Sequence, residues 1–266
     1  MTVNMEILRQ NFLNTTTMVV VGTGTDNASN LFNRNRSSSY VSVGKNTETS
    51  GVTIGVDFSG TSRSIDRIVL QNINLKGFRI YHSSNTSNTI TLTSTSDTTT
   101  SIWTGNSATS LYLIFATIQA TSIFIDGTTT IAGSEEKKVG EFWVTEKRLR
   151  LERNPTAKDY KPSLKRKEFK HSMAEGGTTS YIVGSSYNAD LKLRFRNETE
   201  TAALLDLYDD EIPFVFVPFP TSTGWTTFKN ERIHEVIWVR DFTFQHEKNN
   251  TGVGYSLRAR MEETPR

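Results

Sequence analysis

The feature that most constrains this chain is how unevenly its charge is distributed. Of the 30 Lys and Arg and 28 Asp and Glu, about 15 fall in residues 1–133 and about 43 in 134–266, while Ser and Thr make up about a third of the first stretch. One continuous core does not account for a shift of that size, so the chain divides into two regions of different chemistry. With 266 residues, each region is long enough to bury a core of its own.

The first region consists of short apolar runs rich in β-branched residues, separated by Asn, Gly, Ser and Thr. The runs are Met18–Val21, Tyr40–Val43, Val52–Phe58, Ile65–Leu70, Phe78–Tyr81, Thr89–Leu92, Leu111–Phe115 and Ser122–Ile125. This punctuation predicts a strand-only sandwich or barrel, with Thr serving as a strand-surface residue. A last apolar run, Val139–Val144, closes the region, which sets the division at 1–144 and 145–266.

In the second region, Pro155 and Pro162 interrupt regular structure, and the Lys161–Lys170 window is the most basic of the chain. One helix is expected, over about 198–209. Asn197 and Glu200 have capping-box spacing, and Ala202, Leu204, Leu205 and Tyr208 follow. The remainder reads as strands, Leu191–Arg196, Phe214–Pro218, Ile233–Arg240, Thr243–Glu247 and Tyr255–Met261, and a helix this short needs a sheet to lie on. The fold class is therefore mainly β: a jelly-roll β-sandwich followed by a β-sandwich or barrel domain with one α-helix.

Composition narrows the chemistry. Without cysteine there is no disulfide, no thiol nucleophile and no Cys-based metal site. The net charge of +2 gives no basic footprint for nucleic acid, and no apolar run approaches the length of a membrane span. Residues 1–9 carry Glu6 and lack a basic start, so no signal peptide is expected. Gly22-Thr23-Gly24 follows an apolar run but lacks the third glycine of a dinucleotide loop and reads as a turn. His82, His171, His234 and His246 are scattered, and no nucleophile–base pair or metal-ligand spacing occurs. No catalytic residue, cofactor or metal is expected, and the chain reads as a binding or assembly protein.

Four tryptophans remain. Trp143 and Trp238 alternate with apolar strand residues and read as core; Trp103 and Trp225 sit among Ser, Thr and Gly, where loop packing, an interface and sugar stacking are the open readings. The acidic group Asp206, Asp209, Asp210 and Glu211 ends the helix, where the macrodipole disfavours negative charge. A solvated turn, a metal, or a contact with the basic window of another subunit would each account for it. Lys161, Lys165, Arg166, Asp209 and Asp210 are the candidate inter-subunit charges.

Residues 12–144 resemble a galactose-binding-like, discoidin-type module. The resemblance is carried by 28–36 (ASNLFNRNR) with Tyr40–Val43, by 65–74 (IDRIVLQNIN), by Gly77–Tyr81, and by Ile123–Asp126 ahead of Val139–Val144. It implies an eight-stranded jelly roll with sugars or lipids bound by loops at one end, and it makes Arg34, Arg36, His82 and Trp103 candidate glycan contacts, with Trp225 a further glycan or interface candidate. The second region resembles bacteriophage tail-tube and distal-tail proteins, through 202–208 (AALLDLY), 213–220 (PFVFVPFP), the Trp225 loop and the Val236–Phe244 stretch. That resemblance implies a non-enzymatic virion protein of the tail, tail tip or baseplate, assembled in the host cytoplasm. It would form a ring with copies of itself and contact other tail proteins. The alternative is a protein that recognises host-surface carbohydrate through its N-terminal jelly roll.

Overall fold

A computed structural model of the chain describes residues 4–13, 18–19, 25–33, 38–82, 90, 102–172, 175–218, 233–239, 243–249 and 252–263. The first elements are β1 (Glu6–Leu8), β2 (Met18–Val19), a 3-10 helix (Thr25–Leu31), β3 (Tyr40–Val41), β4 (Val52–Asp57), β5 (Arg63–Gln71) and β6 (Leu75–His82). They are followed by β7 (Ile102–Trp103), β8 (Ser110–Ala120), β9 (Ser122–Thr130), β10 (Lys138–Val139), β11 (Glu141–Thr145) and β12 (Lys147–Arg150). The second region holds β13 (Tyr160–Ser172), β14 (Thr178–Arg196), α1 (Glu198–Asp209), β15 (Phe214–Val217), β16 (His234–Trp238), β17 (Thr243–Asn249) and β18 (Gly252–Glu263). The fold is mainly β, every strand pairing is antiparallel, and α1 is the α-helix among the described residues.

The N-terminal region is a β-sandwich. A five-stranded sheet, β2-β4-β9-β6-β7, faces a three-stranded sheet, β11-β5-β8, and β10 pairs with β3 beside them. Ile54, Val56, Ile80, Ile123 and Ile125 from the first sheet meet Ile68, Leu70, Leu113, Phe142 and Val144 from the second in one core. The alternation read from the sequence places these side chains inward because successive strand residues point to opposite faces. Lys137 is buried nearby, its ammonium donating to the carbonyls of Lys45 (2.8 Å) and Thr47 (2.7 Å), which ties down the 44–50 loop.

The C-terminal region is built on a single eight-stranded sheet, ordered β12-β1-β15-β16-β18-β14-β13, with β17 also paired to β18. Its two edge strands, β12 and β13, do not pair with each other, so among the described residues the sheet is not a closed barrel and the C-terminal region adds no second sheet of its own. Helix α1 takes the place of that second layer: Leu204 and Leu207 pack with Ile7, Leu191, Phe214, Phe216 and Leu257. The helix runs over the residues expected from its caps. Asn197 accepts from the Glu200 amide at 2.7 Å, whereas the Glu200 carboxylate accepts from the Glu152 amide at 2.7 Å and anchors the helix to the segment after β12.

Residues 6–8, which the sequence places with the first region, pair with β12 on one side and β15 on the other, inside the second region's sheet. Ile7 points to the helix side. Glu6 and Leu8, of opposite parity, point toward the sandwich. There Leu8, Val215, Val217 and Ile233 meet Val69, Tyr112 and Trp143 in a third core. The three-stranded sheet is thus covered on both faces, which explains why every residue of β5 from Ile65 to Gln71 is buried. The layers run from five-stranded sheet to three-stranded sheet to eight-stranded sheet to helix.

A buried charge network fixes this stacking. Arg67 of β5 donates to both Glu6 oxygens, at 3.0 Å and 3.1 Å, and its guanidinium also lies 3.2 Å from the Asp66 carboxylate. The Tyr112 hydroxyl donates to the same Glu6 carboxylate. Burial is the largest influence and works against the Arg67 charge, but the hydrogen bonds to Glu6 together with the charges of its neighbours, Glu6 and Asp66 among them, outweigh it, and the Arg67 pKa stands above its ordinary value. Burial, reinforced by the Glu6 charge, pushes the Tyr112 phenol well up, so it remains a donor. A bidentate Arg–carboxylate pair this deep adds little net stability but is costly to break, so it acts as a register pin between the regions.

Candidate functional site

The outer face of the five-stranded sheet carries a groove of about 520 Å³ lined by residues of β4, β6, β7 and β9. That volume lies within the ordinary range of small-ligand sites. Strand register builds it: Thr53 pairs with Asp126, Asp126 with Arg79, and Arg79 with Ile102, so four side chains from four strands form one row across the sheet.

Asp126 organises the row. It accepts from the Thr53 hydroxyl (2.6 Å), from Arg79 Nε (2.8 Å) and from the Tyr81 hydroxyl (3.3 Å), with Arg79 Nη2 in ion-pair contact at 2.7 Å with the oxygen that Nε reaches. The paired Nε and Nη2 lock the guanidinium plane and leave Nη1 on the side away from the carboxylate, as fork geometry requires. Arg79 also lies over the Tyr81 ring, 5.5 Å from its centroid, and Tyr81 stacks on Phe124. Burial, with the Asp126 charge behind it, raises the Tyr81 pKa and keeps its hydroxyl protonated. With 39% of its side chain exposed, Arg79 is held in place while still reaching solvent.

The other wall is apolar. Trp103, opposite Phe78 in register and packed partly against the sandwich core, stacks on the buried Phe78 with centroids 4.4 Å apart and planes 9° from parallel, and Ile102 beside it is 52% exposed. The turn after β7 is pinned by Asn106, whose amide donates to the carbonyls of Leu75 (2.6 Å) and Ala108 (2.8 Å). Thr104, Thr128 and Thr129 add hydroxyls to the rim. A Cβ at Gly77 would stand 2.5 Å from Thr129 Oγ1 and 3.0 Å from Thr128 Oγ1, so glycine there allows both threonines to lie against β6. An arginine fixed by a carboxylate, a ring of hydroxyls and an apolar wall together suit a ligand that is polar at its edge and apolar on its face.

The structure brings one of the proposed glycan contacts, Trp103, into this groove. His82 ends β6 with the parity of Ile80, which points into the core, so it does not join the Arg79 row; burial lowers its pKa. Arg34, Arg36, Trp225 and Gly22-Thr23-Gly24 lie outside the described residues. Trp143 is buried and Trp238 packs partly against the second core. His234 is buried and stacks on Tyr187, at 3.5 Å between centroids.

The acidic helix end does not stand alone: Arg148 of β12 lies 3.7 Å from the Asp206 carboxylate and 3.6 Å from that of Asp210, while Asp209 and Glu211 are exposed. Among the described residues no group of three or more His, Asp or Glu is placed to hold a metal, and no helix is long and apolar enough to cross a membrane. Lys161 and Lys165 are exposed on β13, and Arg166 pairs with Ser185 there.

The sequence gives no local motif for Thr53, Arg79 and Asp126, which are 26 and 47 residues apart. Their one signal is that Arg79 and Asp126 are among the few charges of a charge-poor region and sit on strands.

No family model matches the chain, and no curated protein sequence matches it. Similar solved structures include chitosan-binding module 1 from a chitosanase/glucanase of Paenibacillus sp. IK-5, at 19% identity over 50% of this chain and 97% of that one, with a TM-score of 0.39. Chitosan-binding module 2 of the same enzyme, in complex with chitotriose, matches at 18% identity over 48% of this chain and 93% of its own, with a TM-score of 0.35. The CBM32 of AlyQ, in complex with 4,5-unsaturated mannuronic acid, matches at 16% identity over 48% and 92% of the two chains, with a TM-score of 0.34.

Proposed function

We propose that the chain is a non-enzymatic carbohydrate-binding protein whose N-terminal sandwich holds a saccharide in the groove on its five-stranded sheet. The observation that carries this reading is the Thr53–Asp126–Arg79–Ile102 row closed by Trp103. A pyranose has a hydroxyl-rich edge and a flatter C–H face. The edge matches Arg79 Nη1 and the threonine hydroxyls, and the face matches exposed Ile102 with the part of Trp103 that borders the groove. Asp126 holds Arg79 before the ligand arrives, which reduces the ordering cost of binding. This is a sheet-face site, whereas the discoidin-type resemblance implies loops at one end. The test is a printed array of neutral and amino-sugar oligosaccharides probed with wild type, Arg79→Ala and Trp103→Ala: a bound subset that both variants lose by about tenfold or more supports the reading, and an array without binding refutes it.

A second reading concerns assembly, and β13 favours it. Its 13 residues form an outer edge of the eight-stranded sheet, and Leu164 on it is 52% exposed. Long open edges invite pairing with another chain. In this reading copies join through the C-terminal region into a ring, as part of a virion tail, tail tip or baseplate assembled in the host cytoplasm. The mass in solution tests it: a closed oligomer lost on Leu164→Lys supports it, and a monomer at all concentrations refutes it.

A further inference from the structure

The face of the eight-stranded sheet that β1, β15 and β16 press against the sandwich continues across β14 and β18, and there it is open. A second groove of about 540 Å³ lies on it, lined by residues of β13, β14, β17 and β18 and of the segment before β13. Six cationic side chains and two aspartates border it. No local window of the sequence shows this, because the charges come from strands distant along the chain and are gathered by register.

The pattern has two rows. In one, Lys161 of β13 stands opposite Asp190 of β14, which stands opposite Arg260 of β18. In the next, two residues along, Lys192 stands opposite Arg258, and Arg258 opposite Thr243. Rows two residues apart are about 7 Å from each other, and strands are about 4.8 Å apart. Two arginines are oriented in advance: Arg194 by Asp159, at 3.1 Å, and Arg260 by Glu262, at 3.1 Å. Asp159 is itself fixed by the Thr156 hydroxyl at 2.7 Å, and that bond, with Arg194, holds its carboxyl below the usual range. Lys158, Lys161 and Arg258 are exposed and form no ion pair with the described residues.

Three kinds of anionic partner could meet such a surface, and the groove separates them. A nucleic acid strand is held by stacked aromatics along a continuous basic track, but among the described residues no aromatic side chain borders this groove, and Asp190 interrupts the track. A helical acidic peptide would need apolar anchors beside its charges, and among the described residues the apolar ones lining the groove are Leu191 and Ala259, both buried. An acidic saccharide places isolated oxyanions among hydroxyls. The arginine forks and lysines match the oxyanions, and the Asp190 carboxylate and Thr243 hydroxyl match the hydroxyls between them.

We infer that this groove is a second saccharide site, in the C-terminal region, for a sugar or oligosaccharide bearing carboxylate or phosphate groups. The inference does not depend on the groove of the N-terminal sandwich, which bears one arginine already paired to an aspartate and so suits a ligand without acidic groups.

The test is calorimetric titration of the full chain with short oligogalacturonate, with its methyl ester, with mannose 6-phosphate and with single-stranded oligothymidylate. Oligogalacturonate or mannose 6-phosphate should bind, and which of the two binds tells carboxylate from phosphate; the ester should bind at least about tenfold more weakly than oligogalacturonate if the carboxylate is the group read. Arg258→Glu should abolish binding of the acidic sugar and Lys192→Gln should weaken it, both with unchanged melting temperature, because both side chains reach solvent. Trp103→Ala should leave it intact, which keeps this site distinct from the first. The inference is overturned if neither acidic sugar binds, if oligothymidylate binds more tightly, if Arg258→Glu binds as wild type does, or if Trp103→Ala removes the binding. It is also overturned if Arg258→Glu acts only by dissolving a self-associated form, which would assign the face to a second copy.

Discussion

One face of one sheet meets two environments in this protein, and the contrast shows what a charge is for in each. Over β1 and β15 the face is dry: Glu6 is fully buried and held by Arg67 and Tyr112. Over β14 and β18 it is wet: Asp190, Arg194 and Arg258 reach solvent, and the surrounding charge is mainly positive. In the dry half a charge is matched within the protein and serves to fix geometry. In the wet half cations outnumber anions, and the excess is available to a partner. The five-stranded sheet shows an intermediate case, in which Arg79 is paired to Asp126 yet remains partly exposed.

The largest effects should come from breaking the dry half. Arg67→Ala removes the bidentate partner of the buried Glu6 carboxylate, leaving it the Tyr112 hydroxyl and the half-exposed Arg150 at 3.7 Å, and should cost about 3–5 kcal/mol by denaturant unfolding. If the cost is close to that of a surface change, the buried pair does not pin the regions together. Next is the layer that closes the sheet on its other side. Leu204→Ala empties a fully buried site under α1 and should cost about 2–5 kcal/mol, read in the same way. Asn197→Ala removes the acceptor for the Glu200 amide and should cost about 1 kcal/mol. In the wet half, Lys192→Glu should change stability by no more than about 0.5 kcal/mol, so equal sensitivity in the two halves would erase the contrast.

The smallest effect is one of pH. Burial holds the His82 pKa below its usual 6.5, so the unfolded chain takes up a proton before the folded one does. The stability this gives is present above about pH 6.5 and is lost as pH falls through the folded-state value. His82→Gln should therefore narrow the difference in Tm between about pH 7.5 and about pH 5, and an unchanged difference would show that His82 does not contribute.

What could be read from the sequence was local. The period of the first region and the Asn197 cap with its apolar stripe specify strands and one helix through neighbours in the chain, and Trp143 reads as core from its apolar flanks. Four things depend on register between distant segments and have no local signature: the entry of β1 into the second sheet, the Glu6–Arg67 pair, the Arg79–Asp126 row and the gathering of Lys192 and Arg258 beside Lys161. Composition pointed at two of them. Arg79 and Asp126 are conspicuous as charges in a charge-poor region, and Lys161 belongs to the basic window, although its groove partners come from β14 and β18 rather than from Lys165 or Lys170. The acidic helix end looks uncompensated in sequence because Arg148 is remote from it in the chain and close in space.

Saccharide binding by the groove on the five-stranded sheet is decided by the array comparison of wild type with Arg79→Ala. Wild type should bind a defined subset of neutral or amino-sugar oligosaccharides, and Arg79→Ala, folded to the same Tm, should lose that subset. Retention of the same subset by Arg79→Ala, or wild type binding nothing on the array, would contradict saccharide binding by this groove.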